Sequence, residues 1–381
     1  MDTKNRRATT RLDLPIRAAV VGTGTISREH LSFLAGRLKP FPGSSGPIPE
    51  RISLAGVCDL STVAAEYAAD HFGAQGVYTD VATMLSEAQP DVVHLLTPPQ
   101  THLELATMCL EAGTHVICEK PITPTSSELT SLVETAEVAG RHIMESHNYR
   151  FNRGVVELKE LIDSGSIGVV REVEIRIALP VTDPEGRFGD PNLPSPIHAL
   201  PAGVIHDFTT HFAYLLLHLA APIEFTRISA AWSNHSNNPL FRYDDLDALL
   251  IGRSNDGPIH GRLRFDAGAA PDAFSIRVRG SGGWCETDLF QPYNRTVLPR
   301  PGGSQLSPIL NHVVNGASLI NDGVRNVGRK IMQQSPYEGL HKMLDATYEA
   351  LAAGRPLPVS TEDMLAASRL VAHLLKDEVQ L

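Results

Sequence analysis

The sequence predicts two domains, a doubly wound parallel α/β sheet followed by an α+β domain with a largely antiparallel open sheet. The N-terminal third alternates short, continuously apolar runs with longer helical segments, which is typical of a parallel sheet buried on both faces. Beyond about Phe151 the strand-like runs alternate apolar and polar residues, as in a sheet with one solvated face. The length of 381 residues suits two domains, which we expect to divide into residues 1–149 and 150–381.

The elements of the first domain follow from its apolar runs and its glycines. Its predicted strands are 17–21, 52–58, 91–96 and 115–118. Its predicted helices are 27–38, 61–71, 82–88, 102–112 and 126–139. Gly73, Gly113 and Gly140 follow three of these helices, at the position where a left-handed residue commonly ends a helix. The Pro/Gly-rich segment 39–50 is interpreted as a surface insertion.

The second domain begins with a predicted helix at 155–164 and continues mainly as strands. The predicted strands are 169–177, 225–231, 246–251, 260–265, 274–278 and 284–289. Helical patterns return at 337–353 and 361–376, and these helices can pack back on the first domain. The proline-rich segment 180–203 has no clear period, and we expect a loop that covers the substrate, because loops of this length are usually functional or disordered.

Charge and composition exclude several classes of protein. The chain has 33 Lys+Arg against 43 Asp+Glu, so the net charge is 33 − 43 = −10, which argues against nucleic acid or an anionic membrane as a partner. The apolar run 212–222 is too short to span a bilayer, and no apolar run follows the basic N-terminus as it would in a signal peptide. The four cysteines form no C-x-x-C pair, so we expect buried, reduced thiols in a soluble cytoplasmic protein.

A glycine-rich turn joins the first predicted strand to the first helix. Its sequence is Gly22-Thr-Gly24-Thr25-Ile26-Ser27, in which Ser27 replaces the third glycine of the dinucleotide-binding pattern. The first glycine allows the tight turn, and the second lets the backbone approach a pyrophosphate at the helix N-terminus. We expect a nucleotide site here, although a plain strand–helix turn remains an alternative.

Asp59, at the end of the second predicted strand, is the expected acceptor for a ribose hydroxyl. It lies 35 residues after Gly24, against a usual separation of about 20, and removal of the 12-residue segment 39–50 leaves 23. A carboxylate at this position repels a 2′-phosphate, so NAD is favoured over NADP. A solvated aspartate at a strand end is the alternative.

Charged and polar residues follow the next two predicted strands at the same sheet edge. Glu119-Lys120-Pro121 ends the strand 115–118, and Thr97-Pro98 precedes His102 after the strand 91–96. Open α/β sheets bind their ligands at this carboxyl edge. His102 is interpreted either as a residue of the helix start or as a cofactor contact, and a solvated strand end would also explain the charged pair.

In these motifs the chain resembles the Gfo/Idh/MocA oxidoreductases, which include glucose–fructose oxidoreductase and inositol dehydrogenase. The resemblance covers nearly the whole chain. It rests on Gly22–Ser27, Thr97-Pro98 with His102, Glu119-Lys120-Pro121, Asn148-Tyr-Arg-Phe151, the segment 202–211 (A-G-V-I-H-D-F-T-T-H) and the segment 354–363. The segment 202–211 is similar to the family's G-G-x-x-x-D-x-x-x-H motif. It departs from that motif at Ala202, and His206 stands where an apolar residue is common.

The resemblance implies an NAD(P)-dependent dehydrogenase whose open sheet often mediates oligomers, so a homodimer or homotetramer is expected. Its catalytic residues carry over to Lys120, Asp207 and His211. Its cofactor contacts would be Gly22, Gly24, Thr25, Ile26, Ser27, Asp59, Thr97, Pro98, His102, Glu119 and Lys120. Substrate contacts are expected at Asn148, Tyr149, Arg150 and His206. His206 could alternatively cap a helix start.

Elementary chemistry supports the catalytic trio. Asp207 and His211 are four residues apart and share a face if their segment is helical. Histidine has an ordinary pKa near 6.5, which suits it to act as general base on an alcohol, and Lys120 can hydrogen-bond the reacting oxygen. A metal cluster of His147, His206, Asp207 and His211 is conceivable by residue type, but no close-spaced ligand motif supports it, so no metal is expected.

The expected activity is hydride transfer between NAD and a secondary alcohol or ketone of a sugar, inositol or similar cyclic polyol. Two alternatives stay open. One is an NAD-assisted glycosidase of the same family, with no net redox change. The other is a non-catalytic, nucleotide-sensing regulator on the same fold, although a protein that only binds does not need all three of Lys120, Asp207 and His211.

Overall fold

The computed structural model describes residues 11–38, 48–221, 223–331 and 337–376. These residues form two compact units. The first contains the described residues up to Asn148 together with Tyr337–Leu365. The second contains the described residues from Tyr149 to 331 and those from Ala366 onward.

The strands form one sheet in each unit. The first sheet contains β1 (Ile16–Val21), β2 (Ile52–Cys58), β3 (Val77–Tyr78), β4 (Val92–Leu95), β5 (His115–Cys118) and β6 (Ile143–Glu145). The second contains β7 (Val170–Ala178), β8 (Glu224–Ser233), β9 (Asp245–Ser254), β10 (Gly257–Asp266), β11 (Ala273–Gly280), β12 (Trp284–Asp288) and β13 (Tyr293–Val297).

The helices surround or connect these strands. In chain order they are α1 (Ser27–Leu34), α2 (Ile48–Arg51), α3 (Thr62–Phe72), α4 (Val81–Ala88), α5 (His102–Glu111), α6 (Ser126–Ala139), α7 (Arg153–Asp163), α8 (Gly203–Ala220), α9 (Gly303–Ile331), α10 (Glu338–Ala353) and α11 (Thr361–Lys376). Among the described residues, no helix is both long enough and apolar enough to cross a membrane.

The first sheet is parallel throughout, in the order β3-β2-β1-β4-β5-β6. Its central strands are continuous apolar runs because both faces are covered, and Val20, Val57 and Val92 are completely buried. The chain reverses direction across the sheet between β1 and β4. Ligands of doubly wound sheets bind at the carboxyl ends of the strands at this point, which places the turn after β1 in the ligand-binding position.

The second sheet has the order β13-β12-β11-β7-β10-β9-β8. Its pairs are antiparallel except β7 with β10. Val173, Ile175 and Ile177 alternate along β7 toward a core that also contains Phe212 and Leu216 of α8. The predicted fold class, a doubly wound domain followed by an α+β domain, is confirmed.

Several element predictions differ from the structure. β3, β6, β13, α8 and α9 were not predicted, although Asp207 and His211 were expected to share a face if their segment is helical, and the first helix ends at Leu34 rather than at residue 38. β3 and β6 have two and three residues, too few to show a period. Within the predicted insertion 39–50, residues 39–47 lie outside the described residues, and the remainder forms the start of α2.

Candidate active site

The turn after β1 combines a glycine with a positive φ angle, a glycine with open space beside it and a buried serine. Gly22 has φ +92°, and a Cβ on it would lie 3.0 Å from the backbone of Leu96 and Thr97, so both conformation and packing require glycine. Gly24 has no other atom within 4 Å of a Cβ position. Ser27 is buried, and its hydroxyl donates to the Gly24 carbonyl at 2.6 Å. The protein itself therefore leaves room beside Gly24.

Asp59 is fixed against this turn. Its Oδ2 accepts from the Thr23 amide at 2.8 Å and from the Thr23 hydroxyl at 2.7 Å, and its Oδ1 accepts from the Ser61 amide at 2.9 Å. Burial would raise the pKa of Asp59, but the hydrogen bonds from Ser61 and Thr23 outweigh it and lower the pKa below its ordinary value. A carboxylate has about four acceptor positions, so this charged group keeps one for a ligand hydroxyl.

The remaining predicted contacts of the first unit lie on the loops around this turn. Gly24 and Thr25 are exposed, and Ile26 is half-buried at the start of α1. Thr97 follows β4, and its hydroxyl pairs with that of Thr101 at 2.7 Å. Pro98 is exposed beside it. These placements agree with a ligand-facing edge of the sheet.

His102 is completely buried and holds two loops together. Its Nε2 lies 2.7 Å from the Thr97 carbonyl, and its Nδ1 lies 3.2 Å from that of Pro121 and 3.1 Å from that of Ile122. Both ring nitrogens therefore face backbone of this unit. The geometry supports a role behind the site for His102 and gives no support to a direct cofactor contact.

The Glu119-Lys120-Pro121 segment is anchored a second time by the end of β6. The Ile122 amide donates to Glu145 Oε1 at 2.8 Å, and Glu145 Oε2 lies 2.8 Å from His147 Nε2. Both Glu145 and His147 are buried. Buried, hydrogen-bonded anchors of this kind fix the backbone of a loop, here the loop that carries Lys120.

A buried chain of polar side chains ends on Glu119. Glu119 Oε1 lies 3.3 Å from His30 Nε2, the Nδ1 atoms of His30 and His94 are 2.8 Å apart, and His94 Nε2 lies 2.8 Å from the Tyr348 hydroxyl. His30, His94 and Tyr348 are at most 1% exposed. We name these four residues the histidine chain.

One set of protons satisfies every link of the histidine chain without a net charge on either histidine. Tyr348 donates to His94 Nε2, His94 Nδ1–H donates to His30 Nδ1, and His30 Nε2–H donates to Glu119. Burial lowers the pKa of His94 well below its ordinary value and raises that of Tyr348 well above its own, so both groups keep these forms. Burial opposes ionisation of Glu119, but contacts with His30 and the charge of Lys120 lower its pKa.

In the second unit, α8 carries Asp207 and His211 one turn apart on the same face. His211 is buried, and its Nδ1 lies 2.7 Å from the Tyr214 hydroxyl. Tyr214 accepts from the Tyr149 amide at 3.3 Å. The rings of Tyr149 and Phe274 pack on His211, with centroids 4.6 and 6.5 Å away. These contacts hold the imidazole in place, and its Nδ1 is engaged by the Tyr214 hydroxyl.

The other predicted substrate contacts lie at the start of α8 and in a short 3-10 turn. Asn148, Tyr149 and Arg150 are half-buried in the turn Asn148–Phe151. His206 is buried inside α8, and its carbonyl accepts from Thr209. The interpretation of His206 as a helix-start cap is not supported, because the helix begins at Gly203. In the predicted loop 180–203, the carbonyls of Thr182 and Gly189 both accept hydrogen bonds from Asn238 Nδ2, which fixes that part of the loop.

The structure thus assembles the predicted residues as two sets, one in each unit. The first set includes Gly22–Ser27, Asp59, His102, Glu119 and Lys120, and the second includes Asp207 and His211. Sequence reasoning missed Thr23, His30, His94, Tyr214 and Tyr348. Tyr214 was detectable, because it lies three residues after His211 in a helical pattern.

Two other classes of site have no basis in the described residues. No group of three His, Cys, Asp or Glu side chains there could hold a metal ion. Cys58, Cys109, Cys118 and Cys285 are free and buried, as predicted. Burial raises the pKa of Cys58 to about 11 and those of Cys109 and Cys285 to about 12, so these thiols stay protonated near neutrality.

The first part of the chain matches the sequence model of a known protein family. Residues 16–147 match the sequence model of the Gfo/Idh/MocA family, described as an oxidoreductase family with an NAD-binding Rossmann fold. The resemblance to that family is therefore confirmed over residues 16–147, a segment that contains the turn after β1, Asp59 and Lys120.

Two of the similar curated proteins are named as dehydrogenases. The chain is 30% identical over 157 residues to D-glucoside 3-dehydrogenase from Escherichia coli, a match over 41% of each chain. It is 28% identical over 157 residues to inositol 2-dehydrogenase from Salmonella typhimurium, over 41% of this chain and 44% of the relative. The matches thus span about two fifths of the length of these relatives.

A solved structure similar to nearly the whole chain is levoglucosan dehydrogenase in complex with NADH. The TM-score is 0.75 at 17% identity, and the match covers 96% of this chain and 97% of the other. At this identity the likeness concerns the fold, and it extends over both units.

Proposed function

We propose, from the premise that residues 16–147 form an NAD-binding domain of the Gfo/Idh/MocA oxidoreductase family, that this protein is an NAD-dependent dehydrogenase. It transfers a hydride between the nicotinamide and a secondary alcohol or ketone of a sugar, inositol or similar cyclic polyol. The observation that carries the proposal is the turn after β1. It leaves free space beside Gly24, and its Thr23 donates two hydrogen bonds to the charged carboxylate of Asp59.

The residues present fit a dinucleotide. The space beside Gly24 can admit a phosphate to the backbone, and the remaining acceptor position of Asp59 suits one ribose hydroxyl. The negative charge of Asp59 disfavours a 2′-phosphate, so we propose NAD rather than NADP. The nicotinamide, when bound, supplies the hydride acceptor or donor.

The protein supplies orientation and proton transfer. We propose that Lys120 donates a hydrogen bond to the reacting oxygen and stabilises negative charge that develops on it. We propose that His211 takes the alcohol proton as general base, oriented by Tyr214 and assisted by the charge of Asp207. The anchors of His102 and Glu145 limit the freedom of the loop on which Lys120 lies.

The proposal also names a substrate class and a cellular setting for the protein. The curated relatives named above act on a glucoside and on inositol, which supports a polyhydroxylated substrate for this chain. We propose that substrate hydroxyls contact Asn148, Tyr149, Arg150 and His206. A cytoplasmic setting and a homo-oligomer are part of the same proposal, as is the absence of nucleic acid and membrane partners.

An absorbance assay tests the proposed function. The purified protein is incubated with NAD⁺ or NADP⁺ and a panel of sugars, cyclic polyols and glycosides while absorbance is followed at 340 nm, and glycoside cleavage and nucleotide binding are measured in parallel. We expect NADH formation with at least one polyol and a preference for NAD⁺. A glycosidase would instead cleave glycosides without net NADH. Nucleotide binding with neither activity would indicate a sensor and contradict the proposal.

A further inference from the structure

Helix α9 turns a polar face toward the protein. Asn311 exchanges two hydrogen bonds with the Leu298 backbone, at 3.3 and 2.8 Å, and Asn315 exchanges two with that of Thr296, at 3.0 and 2.8 Å. β13 is an edge strand of the second sheet, and these side chains occupy its backbone groups much as another strand would. The polar face of α9 is therefore occupied by hydrogen bonds to the second unit's own backbone.

The opposite face of α9 is apolar and exposed. The described residues contain eighteen exposed large hydrophobic side chains, and nine of them lie on this one helix. They are Leu306, Ile309, Leu310, Val313, Val314, Leu319, Ile320, Val324 and Val327. Ile320 is 73% exposed and Val324 is 68% exposed. Monomeric proteins rarely leave an apolar patch of this extent uncovered unless it binds something.

The spacing of these residues is that of a helix–helix seam. Positions 306, 310, 313, 317, 320, 324 and 327 alternate steps of four and three residues, and each carries Leu, Ile, Val or Ala. This is the a/d repeat by which two helices pack side by side. At 1.5 Å per residue the seam, defined by these seven positions, runs for roughly 33 Å.

The chemistry of the seam identifies what covers it. α9 carries Lys or Arg at only three of its 29 positions, Arg325, Arg329 and Lys330, whereas helices that lie on membranes carry many basic residues. None of the undescribed segments of the sequence has a matching repeat, and the longest, residues 1–10, contains only Met1 and Ala8 as apolar residues. A second copy of the seam is uncharged, of equal length and of the same repeat.

We propose that the seam of α9 is a surface through which two copies of this chain pair, in addition to any contact made by the open sheet. The contact is isologous, so every seam residue is buried twice in the dimer. The inference rests on the oligomer included in the proposed function and names its surface. A larger assembly would be built from pairs formed in this way.

Sedimentation velocity and chemical cross-linking together test the seam. At about 10 μM we expect the wild type to sediment as an even number of copies. The double variant V313D/I320D places four carboxylates in the apolar contact of each dimer, so we expect it to weaken self-association at least about 100-fold and to sediment with half the wild-type mass. V138D, at a residue that is 91% exposed on α6, is the matched control and should sediment like the wild type. Circular dichroism checks that the substitutions leave the fold intact.

Cross-linking gives a second, independent readout. Ala317 lies at the middle of the seam, and the natural cysteines are buried, so A317C provides the accessible thiol. We expect oxidation to form a disulfide-linked dimer of A317C but not of V138C. A monomeric wild type, or V313D/I320D that keeps the wild-type mass, would overturn the inference. The second result would leave the dehydrogenase and the oligomer proposals standing, because the 340 nm assay reads activity separately.

Discussion

At the scale of single residues, Asp59 combines a structural and a recognition role. It holds Thr23 and Ser61 through three hydrogen bonds and stays charged because those bonds lower its pKa. Its position at the end of β2 follows directly from the sequence. Its bonds to Thr23 do not, because the partners are 36 residues apart.

D59N tests that role. Loss of the charge removes the repulsion of a 2′-phosphate and weakens the bond to a ribose hydroxyl, which for a charged acceptor is worth about 1.5–3 kcal/mol. We expect NAD to bind roughly 10- to 100-fold more weakly and the preference over NADP to shrink, as measured by calorimetric titration with both nucleotides. D70A, on the exposed surface of α3, should leave both affinities unchanged. An unaltered NAD/NADP ratio in D59N would refute the assignment.

At the scale of elements, two contacts between distant segments determine local structure. Tyr348 of α10 reaches His94 of β4 across 254 residues of sequence, and Asn315 of α9 satisfies the backbone of β13. Sequence periodicity predicts elements whose apolar face points to the core. α9 was missed because its inward face is built from Asn, Ser and Asp while its apolar face points outward.

N315A tests the contact between α9 and β13. It leaves the Thr296 amide and carbonyl without their partners, so we expect the free energy of unfolding to fall by about 1–3 kcal/mol in urea denaturation. N321A removes the same side chain from an exposed position of the same helix and should change stability by less than about 0.5 kcal/mol. Equal effects of the two variants would show that the contact contributes nothing.

Y348F tests the histidine chain. It removes the hydroxyl that donates to His94 and leaves a buried acceptor unsatisfied, which costs about 1–3 kcal/mol. We expect a loss of that size in urea denaturation, whereas Y67F, at an exposed tyrosine, should be neutral. A Y348F protein as stable as the wild type would mean that the hydroxyl makes no net contribution.

At the scale of the whole molecule, buried neutral histidines link stability to pH. Burial lowers the pKa of His94 well below 6.5 and that of His115 to about 3. Below about pH 6.5 these two histidines bind protons in the unfolded chain but not in the folded chain. Each of them therefore lowers the free energy of unfolding by up to about 1.4 kcal/mol per pH unit in that range. We expect Tm to be flat above pH 7 and to fall from pH 6.5 toward pH 4.

H115N provides the check on this pH dependence. It removes one titrating group, so its Tm should fall less steeply with acid than that of the wild type. H260N, at an exposed histidine of β10, should keep the wild-type slope. Parallel Tm curves for H115N and the wild type would contradict the linkage to His115.

The fold and part of the candidate site were predictable from the sequence for a physical reason. Gly22 and Asp59 lie directly after buried strands and Lys120 lies two residues after one, so their neighbours in sequence also place them in space. Tyr214, His30 and Tyr348 act through contacts that only the folded chain forms. Which polyol fits depends on such contacts as well, and no local pattern encodes them.

Hydride transfer itself is the central claim, and isotope transfer measures it most directly. A polyol that is active in the absorbance panel is prepared with deuterium on its carbinol carbons and incubated with NAD⁺ and the protein, and the nucleotide is analysed by mass spectrometry. We predict NADH one mass unit heavier for the wild type, and for K120M we predict retained NAD binding with turnover reduced by roughly 100-fold or more. K159M, at a lysine of α7, is the control with wild-type turnover. Unlabelled NADH, or K120M with near-normal kcat, would contradict the account.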